Sequence, residues 1–184
     1  MRTYTTEGIV LKRINFSEAD RIVTVYTRHF GKIKVLARGI RKITSRKGGN
    51  LELFNWAKIF VVKGRNLDIV TEAETVRSFR TWRKDLVRVA FAYHFCELVD
   101  KLTPENVQCQ EIFDLLAGAL WGLGRAKDEN LKFANERFAV SLLEATGFWP
   151  RGKKVERTNL DEYLESITEK KIACKRIFKD LLAK

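Results

Sequence analysis

Cysteine is scarce in this chain of 184 residues: three positions, Cys96, Cys109 and Cys174, with no CxxC pair among them. That odd, scattered set excludes a disulfide framework and a zinc ribbon, and reads as reduced, mostly buried thiols. Histidine is scarcer still, with His29 in a turn and His94 in a helical pattern, both expected as structural rather than catalytic residues. No apolar run approaches the ~18 residues that a membrane-spanning helix needs, and the stretch near the N-terminus is too short for a signal peptide. A soluble, intracellular protein with no membrane contact is the expectation. There is no Gly-rich phosphate loop, HExxH or GxSxG, so nothing in the motifs supports an enzyme. One further absence is local. Between Lys32 and Lys47 there is no acidic residue, while Lys32, Lys34, Arg38, Arg41, Lys42, Arg46 and Lys47 are all cationic.

Such a run costs self-repulsion unless an anionic partner offsets it, although a solvated charge run is the plainer reading of a short basic loop. The whole-chain charge favours a partner. The net is +12 with pI near 9.8. Residues 1–80 carry 17 Lys or Arg against 7 Asp or Glu, a net of +10, and residues 81–184 carry 18 against 16, a net of +2. Positive charge concentrated in one half of a chain that is 45% hydrophobic points to a folded protein with a nucleic-acid or other anionic surface.

The N-terminal half reads as strands. Tyr4–Arg13, Arg21–Thr27, a third strand from Gly31, Trp56–Lys63 and Leu67–Val76 alternate apolar and polar residues or are rich in β-branched ones, with turns at Ser17–Asp20, His29–Gly31 and Gly64–Asn66. In the third strand Ile33, Val35 and Ala37 share one face, and Lys32, Lys34, Leu36 and Arg38 the other. After Gly39 the alternation ends in a basic loop closed by Gly48-Gly49. Five strands in about 76 residues suit a small closed barrel of the oligonucleotide-binding type, with an SH3-like barrel as the competitor. Tyr26, Phe30, Phe54, Trp56 and Phe60 are interleaved with the cations. Tyr26 and Trp56 are the candidates for a base-stacking role, and Phe60 is assigned to the core.

Beyond Ser78 the period becomes helical. Trp82, Leu86, Val89, Ala90, Ala92, Tyr93, Cys96, Leu98 and Val99 predict a helix ending near Leu102. Thr103 is expected to cap, and Pro104 to open, a second helix that carries Ile112, Phe113, Leu115, Leu116, Ala119 and Leu120. A third starts at Asp128, with Leu131, Phe133, Ala134, Phe138, Leu142 and Leu143 inward and Gly147 at its close. Two short tail helices follow, one through Leu160, Tyr163, Leu164 and Ile167 with Thr158 as cap, the other through Cys174, Ile177, Phe178, Leu181 and Leu182. The fold class is therefore α+β: a five-stranded barrel of the OB type in residues 1–80, then an all-α unit in 81–184.

The ordered series Gly8-Ile9-Val10-Leu11, Ser17-Glu18-Ala19-Asp20-Arg21, Gly31-Lys32, Ala37-Arg38-Gly39-Ile40-Arg41, Ser45-Arg46 and Leu51–Phe54 resembles the N-terminal domain of the bacterial RecO recombination mediators. Glu97-Leu98, Phe113–Leu116 and Phe138–Pro150 resemble the family's helical part, so the likeness covers about residues 4–150. It implies an OB barrel followed by a helical domain. It implies binding of single- and double-stranded DNA, annealing of complementary strands, and help in loading RecA onto strands coated by single-strand-binding protein. RecR and the acidic tail of the single-strand-binding protein are the implied partners, and the cytoplasm, in association with the nucleoid, is the implied place. No catalysis and no cofactor are required. DNA contacts are expected at Lys32, Lys34, Arg38, Arg41, Lys42, Arg46 and Lys47, with Tyr26 and Trp56 beside them. Many members place four zinc-binding cysteines after the corner at Pro150. Here Arg151-Gly152-Lys153-Lys154-Val155 follows and the chain ends early for the family, so no zinc is expected. Packing of the tail helices is expected in its stead. An RNA-binding barrel and an adaptor for an acidic protein are the rival readings, and the oligomeric state is open.

Overall fold

The computed structural model describes residues 2–152 and 160–168. Five strands, β1 (Thr3–Asn15), β2 (Arg21–Thr27), β3 (Gly31–Ala37), β4 (Trp56–Val62) and β5 (Asp68–Arg77), close into a barrel in the order β1-β2-β3-β5-β4. That order, with β3 and β5 parallel, is the OB arrangement, and it settles the choice against the SH3-like alternative. The long β1 pairs with β2 and β4 at once, Ile9 lying opposite both Tyr26 and Trp56. A bulge after Val10 bends the strand. There Val10 donates its N–H to the Asn55 carbonyl (3.0 Å) and accepts from the Phe54 N–H (2.9 Å).

The barrel interior is filled by Val10, Val23, Val25, Ile33, Val35, Ala37, Ile40, Leu51, Ala57, Ile59, Val61 and Val70. A second core covers part of the barrel's outside. Ile9, Leu11, Tyr26 and Phe54 pack with the apolar faces of α2 (Leu86–Leu102), α3 (Gln110–Leu123), α4 (Leu131–Ala145) and α5 (Leu160–Thr168). Both faces of β1 and β2 are therefore apolar where the helices sit. Two expectations about aromatics change as a result. Tyr26 is fully buried under the helices, and Phe60, assigned to the core, is 45% exposed on the outer face of β4.

The helices start where their caps allow. Asp85 accepts from the Val87 N–H (2.9 Å) and the Arg88 N–H (3.2 Å), so α2 begins at Leu86; Trp82 lies in a preceding 3-10 turn, Arg80–Trp82. Leu86 and Tyr93, part of the helical pattern, are exposed, and so is Phe133 of α4, expected to point inward. The expected Thr103-Pro104 helix start is not formed. The Thr103 hydroxyl donates back to the Val99 carbonyl (2.6 Å), and the chain then crosses to β3, where Glu105 bridges Lys32 and the Asn106 N–H donates to the Lys32 carbonyl (2.9 Å). That crossing brings backbone so close that a Cβ on Gly31 (φ +64°) would lie 1.9 Å from the Val107 carbonyl oxygen; only glycine fits there. In α5, Leu160 and Leu164 join the helical core, as expected of the first tail helix. Thr158 and the second tail helix, Cys174 to Leu182, lie outside the described residues.

Candidate nucleic-acid interface

The basic segment leaves β3 and returns to the barrel before β4. It is anchored at both ends by apolar side chains in the barrel interior, Ile40 and Leu51. Between them the Gly48-Gly49 pair, expected to be loop, lies in a one-turn helix, α1 (Lys47–Asn50). Asn50 seats this turn on β5 by donating to the Ala73 carbonyl (2.8 Å) and accepting from the Thr75 hydroxyl (2.8 Å). The buried Asn55 amide donates to the carbonyls of Gly49 (2.9 Å) and Asn50 (3.1 Å) and accepts from Arg83 (2.6 Å). Asn50 and Asn55 hold the loop in place; the sequence reading passed over both, because a lone asparagine in a loop looks like turn chemistry.

The seven cations of this segment divide into four kinds. Lys32, expected on a solvent face, is buried: its ammonium donates to the Asp100 carbonyl and lies 3.4 Å from the Asp100 carboxylate. Lys34 is exposed but paired with Glu105 at 2.5 Å, and that carboxylate holds its pKa above the ordinary value. Lys47 is half-buried and donates to the Val70 carbonyl (3.3 Å). Arg38, Arg41, Lys42 and Arg46 are exposed, and among the described residues no carboxylate lies within ion-pair distance of them. Arg41 uses one nitrogen to donate to the Ser17 carbonyl (2.9 Å), leaving its charge uncompensated.

The two expected stacking residues are turned to other work. Tyr26 donates its hydroxyl to the Cys109 carbonyl (3.3 Å), and burial, with Cys109 alongside, pushes its pKa upward. Trp56 donates its indole N–H to Glu7 (3.0 Å) and sets its ring edge-on to Phe113 of α3 at 5.3 Å between centroids. Both sit in the seam under the helices, where no base reaches the face of Tyr26. The aromatic that does stand in solvent beside the cations is Phe16, at 60% exposure. A second unpaired cationic group lies at the end of β5. The guanidinium of Arg77 lies 3.7 Å, and that of Arg125 4.8 Å, from the ring centroid of half-exposed Trp121. Exposed Arg80 opens the 3-10 turn that follows β5.

Among the described residues no cluster of three His, Cys, Asp or Glu side chains could hold a metal ion, and no helix is long and apolar enough to cross a membrane. An OB barrel with a cationic loop, backed by a helical bundle that packs on the barrel's outer face, defines the class. The comparisons name the family. A family model described as Recombination protein O N terminal matches residues 1–79, and one described as Recombination protein O C terminal matches residues 83–176. The DNA repair protein RecO of Roseiflexus sp. (strain RS-1) is 40% identical over 152 residues, covering 82% of this chain and 52% of that protein. The same-named protein of Symbiobacterium thermophilum is 40% identical over 152 residues (82% and 59%), and that of Pelotomaculum thermopropionicum 37% over 143 residues (78% and 56%). The chain belongs to the RecO family of DNA repair and recombination proteins, and it spans somewhat more than half the length of these curated relatives.

Proposed function

We propose that this chain is a recombination mediator that binds single- and double-stranded DNA through the loop of residues 38–46, anneals complementary strands, and assists RecA loading onto strands coated by single-strand-binding protein. The observation that carries the reading is the set of four exposed cations, Arg38, Arg41, Lys42 and Arg46, without carboxylate partners on the loop of an OB barrel. Cations that lack internal partners displace counterions from a phosphate backbone on binding, which supplies affinity without reading sequence. Annealing brings two polyanions together, and the Arg77–Trp121–Arg125 group offers a second cationic surface for the second strand. Lys34 and Lys47 stay at the rim as weaker contributors. Lys32, Tyr26 and Trp56 are assigned to structure.

In this reading residues 1–80 form the nucleic-acid-binding unit and residues 81–184 its helical support. The tail of the single-strand-binding protein and RecR are its protein partners, and no catalytic step or cofactor is involved. Titration of a labelled single strand at low and high salt tests the core of the proposal. Affinity that falls steeply with salt is expected, and a flat response overturns it. Competition between matched DNA and RNA strands separates the mediator from an RNA-binding barrel. Failure to bind either leaves the adaptor for an acidic protein.

A further inference from the structure

The turn between β1 and β2 and the loop of residues 38–46 are hydrogen-bonded into one unit at an end of the barrel. The Arg41 N–H donates to the Ala19 carbonyl (3.0 Å) and its guanidinium to the Ser17 carbonyl, while the Gly39 N–H donates to the Asp20 carboxylate at 2.7 Å. Phe16 opens this turn, its own N–H bonded to the Asp20 carbonyl (3.1 Å). Its ring is 60% exposed, and Ile43 on the other loop is fully exposed. Single exposed apolar residues are ordinary on a protein surface. These two differ in being carried on two cross-linked loops whose remaining exposed side chains include Arg38, Arg41, Lys42 and Arg46. Folding leaves an aromatic face and a branched aliphatic tip in water, on loops whose four exposed cations outnumber the one exposed carboxylate, Glu18, while Asp20 is taken up by the Gly39 N–H.

Nucleic acid offers both chemistries at once when a base is out of its stack: an anionic backbone and an apolar π-face of similar size to a phenyl ring. Duplex offers the backbone but hides the faces. Apolar side chains that meet nucleic acid from a cationic setting act by entering or covering a base step.

We propose that Phe16 and Ile43 form a wedge that takes unpaired nucleobases, Phe16 by stacking and Ile43 by covering the next base step, while the neighbouring arginines hold the phosphates. The site thus selects strands whose bases are free, at a junction where pairing begins or ends. This rests on the nucleic-acid binding proposed above and names what the loop recognises beyond charge. Because the two loops are tied together through Arg41 and Asp20, the wedge is in place before the strand arrives and little ordering is left for binding.

The test compares an oligothymidine with an abasic strand of equal length and charge, in the full chain, its Phe16→Ala and Ile43→Ser double variant, and Phe16→Trp. The wild type is expected to prefer the base-bearing strand by about tenfold or more. The double variant should lose that preference while binding the abasic strand as well as the wild type does, with unchanged melting, since both side chains are in solvent. Phe16→Trp should keep the preference and show its indole fluorescence quenched by the base-bearing strand alone. Equal binding of the two strands by the wild type overturns the wedge and leaves the charge-based reading standing. Absence of binding to both strands overturns the nucleic-acid reading itself.

Discussion

Lys32 of β3 and Asp100 of α2 meet across the seam between barrel and helices, their charged groups 3.4 Å apart and their side chains 8% and 27% exposed. The ammonium also donates to the Asp100 carbonyl, so the cation is held by one residue's backbone and side chain together. A lysine that strand alternation places among the DNA-contacting groups is in fact a bolt between two parts of the molecule.

Removal of this lysine should therefore damage stability rather than DNA affinity. Lys32→Ala strands a partly buried carboxylate and is expected to lower stability by about 3 kcal/mol, at the lower end for a broken buried pair because Asp100 keeps some solvent. Denaturant melts alongside a binding titration check this. A variant that melts like wild type but binds DNA poorly would return Lys32 to the interface.

The unpaired cations should behave in the opposite way. Each phosphate contact to a single strand contributes roughly −0.7 to the slope of log affinity against log salt, so Arg38→Ala with Arg41→Ala should flatten the slope by about 1.4. Annealing should slow. The fold should survive, since both side chains are exposed, and far-ultraviolet circular dichroism is the control.

Asp85 gives a pH-dependent prediction. Burial alone would raise its carboxyl, but the Arg88 N–H, the Arg88 guanidinium at 2.9 Å and the Val87 N–H outweigh that and hold it below the ordinary value. A pKa lowered in the folded state adds stability that is present above the unfolded value of about 3.9 and is lost as pH falls through the folded one. Asp85→Ala should cost about 1 kcal/mol at neutral pH through the lost cap, and the gap from wild type should narrow in acid. Asp85→Asn, which can still cap, separates the cap from the charge; urea melts across the acid range give the readout.

Leu164 tests the tail helix. It is 1% exposed in the helical core, so Leu164→Ala should destabilise by about 2–5 kcal/mol. A loss well below that range would mean that α5 is only loosely attached.

The strands were legible because β-branched alternation and turn residues are local signals, but the five-strand count left an SH3-like barrel open, and only the order β1-β2-β3-β5-β4 with β3 parallel to β5 decides for the OB type. What escaped the sequence depends on contacts between distant segments. The alternation of β2 separates Val23 and Val25 from Tyr26 correctly, but it cannot tell that the second face lies under α2 and α3. Likewise Lys32 reads as solvent-facing because its partner is 68 positions away, and Thr103-Pro104 has the local form of a helix start while the chain there is drawn onto β3. At the candidate interface the basic loop was found from charge alone. Phe16 was passed over because a phenylalanine next to a polar turn looks like a strand end, and only the hydrogen bonds between the two loops place it beside Arg41.

The crossing of Glu105 and Asn106 onto β3 bears on how this protein can be handled. A fragment cut after β5 would lose the backbone that covers the first half of β3 and the helices that cover Ile9, Leu11 and Tyr26, exposing an unpaired strand edge beside a greasy surface. Such a fragment is built to stick to its own copies. Experiments that isolate the barrel from the helices would therefore report on aggregates, whereas alterations confined to the 38–46 loop leave the seam intact and can be made in the whole chain.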